Sequence, residues 1–205
     1  GTPLASGVLS PLLRRLVDEK RVLAVDEPLS TKAGRPALYR VADSNLRLYL
    51  AMLREAQEQA RRGRPQAAVS LVHRRWSSWR GRAVEPLIRQ ALELAALAGE
   101  LPWPDARVVG GWWNRQFNPE IDLVGADRGP VAGTVYYAGS IKWLASPVDG
   151  RDVADLALAA RQIPGFDRDR CGLVVVSQSG LASTVDPSLV DVHWGPTEVL
   201  AAWRA

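Results

Sequence analysis

The stretch 110–143, GGWWNRQFNPEIDLVGADRGPVAGTVYYAGSIKW, limits the possible folds of this chain more than any other. It divides into three strand-like runs. Val108-Val109 leads into Trp112-Trp113, Glu120 to Gly125 forms the second run, and Thr134 to Trp143 the third. Side chains alternate between the two faces of a strand. Ile121 and Leu123 therefore share one face of the second run, and Asp122 and Val124 the other. In the third run Ser140 and Lys142 share a face, with Ile141 and Trp143 opposite. If these two runs are neighbours, Asp122 and Lys142 meet at one end of a sheet. An isolated Asp and Lys on adjacent strands are usually a solvated pair; here strongly apolar neighbours argue for a site.

The remaining pattern alternates helices and strands. Ser10–Lys20 reads as a helix, with Ser10 as N-cap, Pro11 in the first turn and an apolar stripe of Leu12, Leu13, Leu16 and Val17. Two short strands, Arg21–Asp26 and Leu38–Val41, flank a loop that contains Lys32 and Arg35. This order matches the back half of a winged helix. A helix over Asp43–Glu58 follows, then a linker at Arg61–Pro65. Ala67–Leu97 reads as helical but interrupted near Trp79-Arg80-Gly81, with Pro86 in the first turn of the second piece. Beyond the central stretch come a helix over Asp152–Gln162, a buried strand at Leu173–Ser177, a short strand near Val190–Trp194 and a terminal helix from Glu198. The expectation is an α/β chain with a mixed sheet flanked by helices. A first domain covers 1–60 and a second 66–205.

Composition narrows the function classes. Of 205 residues 47% are hydrophobic and 23% charged, which describes a folded domain and excludes a disordered chain. Net charge is +4, and the excess is local: residues 54–82 hold eight arginines against Glu55 and Glu58. That permits a nucleic-acid partner without requiring one; a GC-rich genome produces the same bias. The single cysteine, Cys171, excludes an intrachain disulfide and points to the cytoplasm. It precedes an apolar run and reads as a buried small hydrophobe. No run is long enough to cross a membrane, and no P-loop motif is present.

The motif Pro119-Glu120-Ile121-Asp122 followed by Ser140-Ile141-Lys142 resembles the core of PD-(D/E)xK nucleases. The resemblance implies a restriction-endonuclease-like mixed sheet. It implies metal ligation by Asp122 and by a helix glutamate, for which Glu85 is the match, and a catalytic role for Lys142. The cofactor would be Mg²⁺ or Mn²⁺. This chain departs from the pattern at Ser140, where the family carries an acid; a neutral hydroxyl is a poor ligand for these hard cations. Glu120 is the remaining stand-in. With Gly111-Trp112-Trp113-Asn114 before PEIDLV, and Gly139-Ser140-Ile141-Lys142-Trp143 after it, the chain also resembles the C-terminal region of archaeal and bacterial AAA-type ATPases. There a winged helix and a nuclease-like domain follow the ATPase. The resemblance extends from the basic loop to about Pro164 and implies an ATPase domain in the same full-length chain, with DNA as partner.

Two readings of function follow. One is a nucleic-acid-binding or regulatory module with a degenerate nuclease-like site; the other is a Mg-dependent DNA endonuclease. For DNA contact the candidates are Arg14, Arg15, Lys32 and Arg35, each of which also reads as an ordinary solvated cation. Trp112, Trp113 and Trp143 offer base stacking, but filling a sheet–helix interface is the better reading. His73 and His193 have no metal-ligand neighbours in sequence, and Gln162 sits at a helix end where some relatives of the nuclease fold place a supporting glutamine.

Overall fold

The computed structural model describes residues 6–33 and 36–204. Arg35 therefore lies outside the described residues. The chain forms two compact units, residues 1–26 with 37–79, and residues 27–36 with 80–205.

In the first unit, helix α1 (Ser6–Arg14) continues as a π-helical segment to Glu19. Pro11 lies inside it rather than near its start, because the helix begins earlier than the expected Ser10 cap. Strands β1 (Leu23–Asp26) and β2 (Leu38–Val41) pair antiparallel. Asp43 caps α2 (Ser44–Leu48), its carboxylate accepting from the Leu46 amide at 2.6 Å. A π-helical segment (Tyr49–Leu53) joins α2 to α3 (Arg54–Arg61). Met52 and Ala56 bury against Ala68 and Leu71 of α4 (Pro65–Leu97). That helix runs unbroken through Gly81 and Pro86, where the sequence suggested an interruption. Pro86 removes one backbone bond, a loss confined to one turn. The stripe Ile88, Ala91, Leu92, Ala95 and Ala96, all buried, holds the following turns in place.

The second unit carries a five-stranded mixed sheet: β3 (Val108–Trp113), β4 (Glu120–Ala126), β5 (Val135–Lys142), β6 (Gly172–Ser177) and β7 (Val192–Trp194), in that spatial order. The first three form an antiparallel meander, and β5, β6 and β7 run parallel. The crossover from β5 to β6 is α5 (Gly150–Ala160), as a parallel pair requires. Terminal helix α6 (Pro196–Ala202) follows β7. The sheet is covered on both faces. Leu123, Tyr137, Val174 and Val176 meet the second half of α4 and α6, while Val124, Ala138, Leu173 and Val175 meet Val153, Leu156 and Ala160 of α5. Trp112 and Trp113 are core residues, 1% and 2% exposed, as the packing reading expects. Cys171 is buried, its thiol donating to the Val135 carbonyl at 3.2 Å; burial raises its pKa.

The loop between β1 and β2 belongs to this second unit, whereas the sequence reading placed it in a first domain over 1–60. Leu29 is 2% exposed and sits in the core with Trp112 and Val124. Its amide donates to the Gly111 carbonyl at 2.8 Å, Thr31 donates to Pro164, and Trp113 Nε1 donates to Pro36. Lys32 remains exposed, but the loop on which it sits is tied down on both sides. The physical reason is local composition: Pro28-Leu29 gives an apolar anchor that outweighs the polar character of the rest.

Candidate functional site

Strands β4 and β5 and helix α5 enclose a cleft of about 450 Å³. Asp122, Ser140 and Lys142 all line it, so the two strands bring together what the period-2 reading paired. The Asp122 carboxylate accepts from the Ile141 amide at 2.8 Å and from the Ser140 hydroxyl at 3.1 Å, through the same oxygen. It therefore braces the end of β5 against β4, beyond the last regular pairing at Leu123 and Gly139. Lys142 turns to the helix: its ammonium lies 2.8 Å from Asp152 Oδ1.

Asp152 is the partner of Lys142 that the sequence reading did not single out. It is held by a reciprocal cap at the start of α5. Its amide donates to Asp149 Oδ1 at 2.9 Å, and its own Oδ2 accepts from the Asp149 amide at 3.2 Å. One carboxylate oxygen thus fixes the helix start and the other holds Lys142. The spacing Asp149-x-x-Asp152 carried that signal, as an acidic variant of the capping box. Hydrogen bonding to Lys142 is the main reason that the Asp152 carboxyl titrates below the usual carboxylate range. The charged form is favoured in the fold, so this contribution is full above the unfolded-state pKa. It is lost as pH falls through the lowered folded value. Lys142→Met is expected to move the Asp152 midpoint up toward its ordinary value of 3.8, as read by carboxyl-carbon NMR titration. An unmoved midpoint would assign the shift to the helix cap instead.

Glu85 does not line the cleft, which corrects its placement as a second carboxylate beside Asp122. Because α4 is continuous, Glu85 sits mid-helix and not at a helix start facing the strand ends. The turns that follow it pack on the sheet face opposite α5. Its carboxylate lies 3.8 Å from Arg89, whose Nε donates to the Asp122 carbonyl at 3.0 Å. Glu120, Asp155 and Gln162 do line the cleft. Arg14 and Arg15 are exposed on the first helix, and Arg15 pairs with Glu19 at 3.4 Å. His193 lies elsewhere, on β7, with its Nε2 3.0 Å from the buried Ser177 hydroxyl; desolvation lowers its pKa.

The donor set does not fit Mg²⁺ or Mn²⁺. Asp122 already directs one oxygen at two donors, Ser140 offers no charge, and Asp152 is engaged by a lysine and a helix cap. Among the described residues no group of three or more His, Cys, Asp or Glu side chains is placed to hold a metal ion. The cleft carries four carboxylates, Glu120, Asp122, Asp152 and Asp155, against Lys142. Such a balance repels phosphate.

Fold and site together define a mixed α/β protein with an acid–lysine cleft beside a parallel crossover. The chain belongs to the DUF234 family, archaeal and bacterial proteins of unknown function, whose model matches residues 49–153. That span runs from the π-helical segment through the sheet meander to the start of α5, and so includes Asp122, Ser140, Lys142 and Asp152. No curated protein and no solved structure matches the chain. No helix among the described residues is long and apolar enough to cross a membrane.

Proposed function

We propose that this chain is a nucleic-acid-binding or regulatory module, built on a restriction-endonuclease-like sheet whose metal site has been converted into a structural brace. The observation that carries the reading is the engagement of both signature groups. Asp122 holds the end of β5, and Lys142 is bound by Asp152. An acid and a lysine used this way support architecture rather than phosphodiester hydrolysis. Nucleic acid would then meet the exposed cations Arg14, Arg15 and Lys32 and not the acidic cleft. In the arrangement that the ATPase resemblance implies, the module would report nucleic-acid occupancy to an ATPase domain of the same full-length chain. A second reading, a Mg-dependent endonuclease, draws on the convergence of Asp122 and Lys142 in one cleft.

A plasmid-cleavage assay with Mg²⁺ and with Mn²⁺ separates the two. The expected result is no nicking by the native chain. Ser140→Glu, which adds a carboxylate beside Asp122, is expected to raise Mn²⁺ affinity in calorimetric titration. Metal-dependent nicking by the native chain, abolished by Lys142→Ala, would establish the endonuclease. For the binding role, affinity for a DNA duplex should fall as salt rises, with a shallower slope in Arg14→Glu/Arg15→Glu. Binding indifferent to both would sink the nucleic-acid reading.

A further inference from the structure

We infer that the helical hairpin of the first unit is a docking trough for a short amphipathic helix with acidic flanks, supplied by a partner protein. This inference concerns a surface separate from the acid–lysine cleft and stands independently of it. The trough has a volume of about 580 Å³ and an apolar floor, to which Tyr49, Leu53, Ala56 and Ala60 contribute from one helix and Val69 and Val72 from the other. It is an open trough rather than an enclosed cavity, which suits a helix better than a small molecule. Tyr49, Leu53 and Val69 are 41%, 38% and 56% exposed. They form a contiguous apolar surface, not scattered single residues, and such surfaces mark interaction sites. Tyr49 to Ala60 spans about three helical turns, roughly 16 Å.

A second observation lies in the backbone. The segment Tyr49–Leu53 is π-helical, and both of its end residues line the trough. An isolated π-helical turn inside a longer helix costs regular hydrogen bonding and is found mostly at functional positions. Here it sets the two large side chains of the trough.

Charge identifies the occupant. Glu55 and Glu58 are taken up by Arg75 at 2.7 Å and Arg62 at 3.0 Å. Arg54, Arg61 and Arg64 have no such partner among the described residues. Arg54 and Arg61 flank the trough-lining positions 53, 57 and 60 along the helix, and Arg64 sits at the hairpin turn. None of the three lines the trough itself, but the hairpin that carries the apolar floor has an excess of positive charge. A nucleic acid would satisfy these arginines but leave the floor wet. A second copy would bring one cationic hairpin against another, a like-charge contact across a self-complementary interface. An amphipathic helix with apolar residues at i, i+3, i+4 and i+7 and carboxylates beside them satisfies both.

The test uses the full chain and two synthetic peptides, one with a leucine stripe flanked by glutamates and a twin with lysines in their place. Fluorescence anisotropy is expected to show saturable binding of the Glu peptide and at least about tenfold weaker binding of the Lys twin. Val69→Glu changes an exposed side chain, so folding is retained and checked by circular dichroism. It is expected to weaken the Glu peptide by about tenfold or more, through a charge set on the apolar floor. Arg54→Glu/Arg61→Glu should reverse the preference between the twins. Equal affinity for both peptides, no saturable binding of the Glu peptide, or indifference to Val69→Glu would each overturn the proposal. So would a concentration-dependent dimer in sedimentation that Val69→Glu dissolves, which would give the trough to a second copy.

Discussion

Alanine at position 139 is expected to destabilise the protein by about 3 kcal/mol or more, and to lower its melting temperature by roughly 10 °C. Gly139 lies on β5 between β4 and β6. A Cβ there would clash with the Val174 carbonyl oxygen and stand 3.2 Å from Leu123 Cβ. The first of these is backbone of the neighbouring parallel strand, so no side-chain rotation relieves it. Either β5 and β6 separate locally or the register of the pair shifts. The damage falls beside Ser140 and Lys142, so the cleft should loosen with the sheet. Thermal denaturation followed by circular dichroism measures the first effect. Hydrogen exchange at the Ile141 amide, which donates to Asp122, measures the second. A variant with unchanged melting would mean that β5 and β6 approach less closely than the structure has them.

The second large effect is expected at Leu29. Truncation to alanine should cost about 3 kcal/mol, the middle of the range for a fully buried leucine. The side chain lies in the core beneath Trp112, and the loop that carries it makes backbone bonds to three separate segments. The informative comparison is with Lys32→Ala on the same loop. Its side chain is exposed, so stability should change by less than about 0.5 kcal/mol. Urea denaturation of the two variants tests whether the loop is anchored through Leu29. Similar midpoints for both would mean that Leu29 does not anchor the loop.

The central stretch was legible because strand alternation is a local, short-period signal. The alternation from Asp122 to Gly125 and from Thr134 to Trp143 put Asp122, Ser140 and Lys142 on the cleft side, but a bulge opposite Gly111 breaks it at Ile121, which joins the core on the α5 face while Leu123 joins the opposite one. The β4–β5 pairing and the shared cleft agree with that placement of the three. The course of α4 was misread for a local reason too. Gly81 and Pro86 are helix-breaking residue types, and only the tertiary burial of Ile88 through Ala96 outweighs them. That misreading put Glu85 at a helix start; its place among the candidate ligands came from the nuclease resemblance. Asp152 went unnoticed as the partner of Lys142 because their contact joins two elements across a loop. No periodicity reports a contact of that kind. Leu29 illustrates the same limit: one leucine beside a proline in a polar loop looks ordinary until strands far along the chain are in place.

The crossing of the loop 27–36 from one unit into the other has a consequence for synthesis on the ribosome. The β1–β2 strands emerge early, yet the loop between them bonds to Gly111, Pro130 and Pro164. These arrive progressively later, and at typical elongation speeds the last follows the loop by roughly 10 s. Throughout that interval the core that receives Leu29, which includes Leu156, Ile163 and Leu173, is incomplete. Closing so long a loop is slow, because the entropy of bringing its ends together must be met before any contact forms. The loop must therefore wait for the C-terminal half. A nascent chain stalled before Pro164 would display Leu29 to whatever chaperone stands at the tunnel exit.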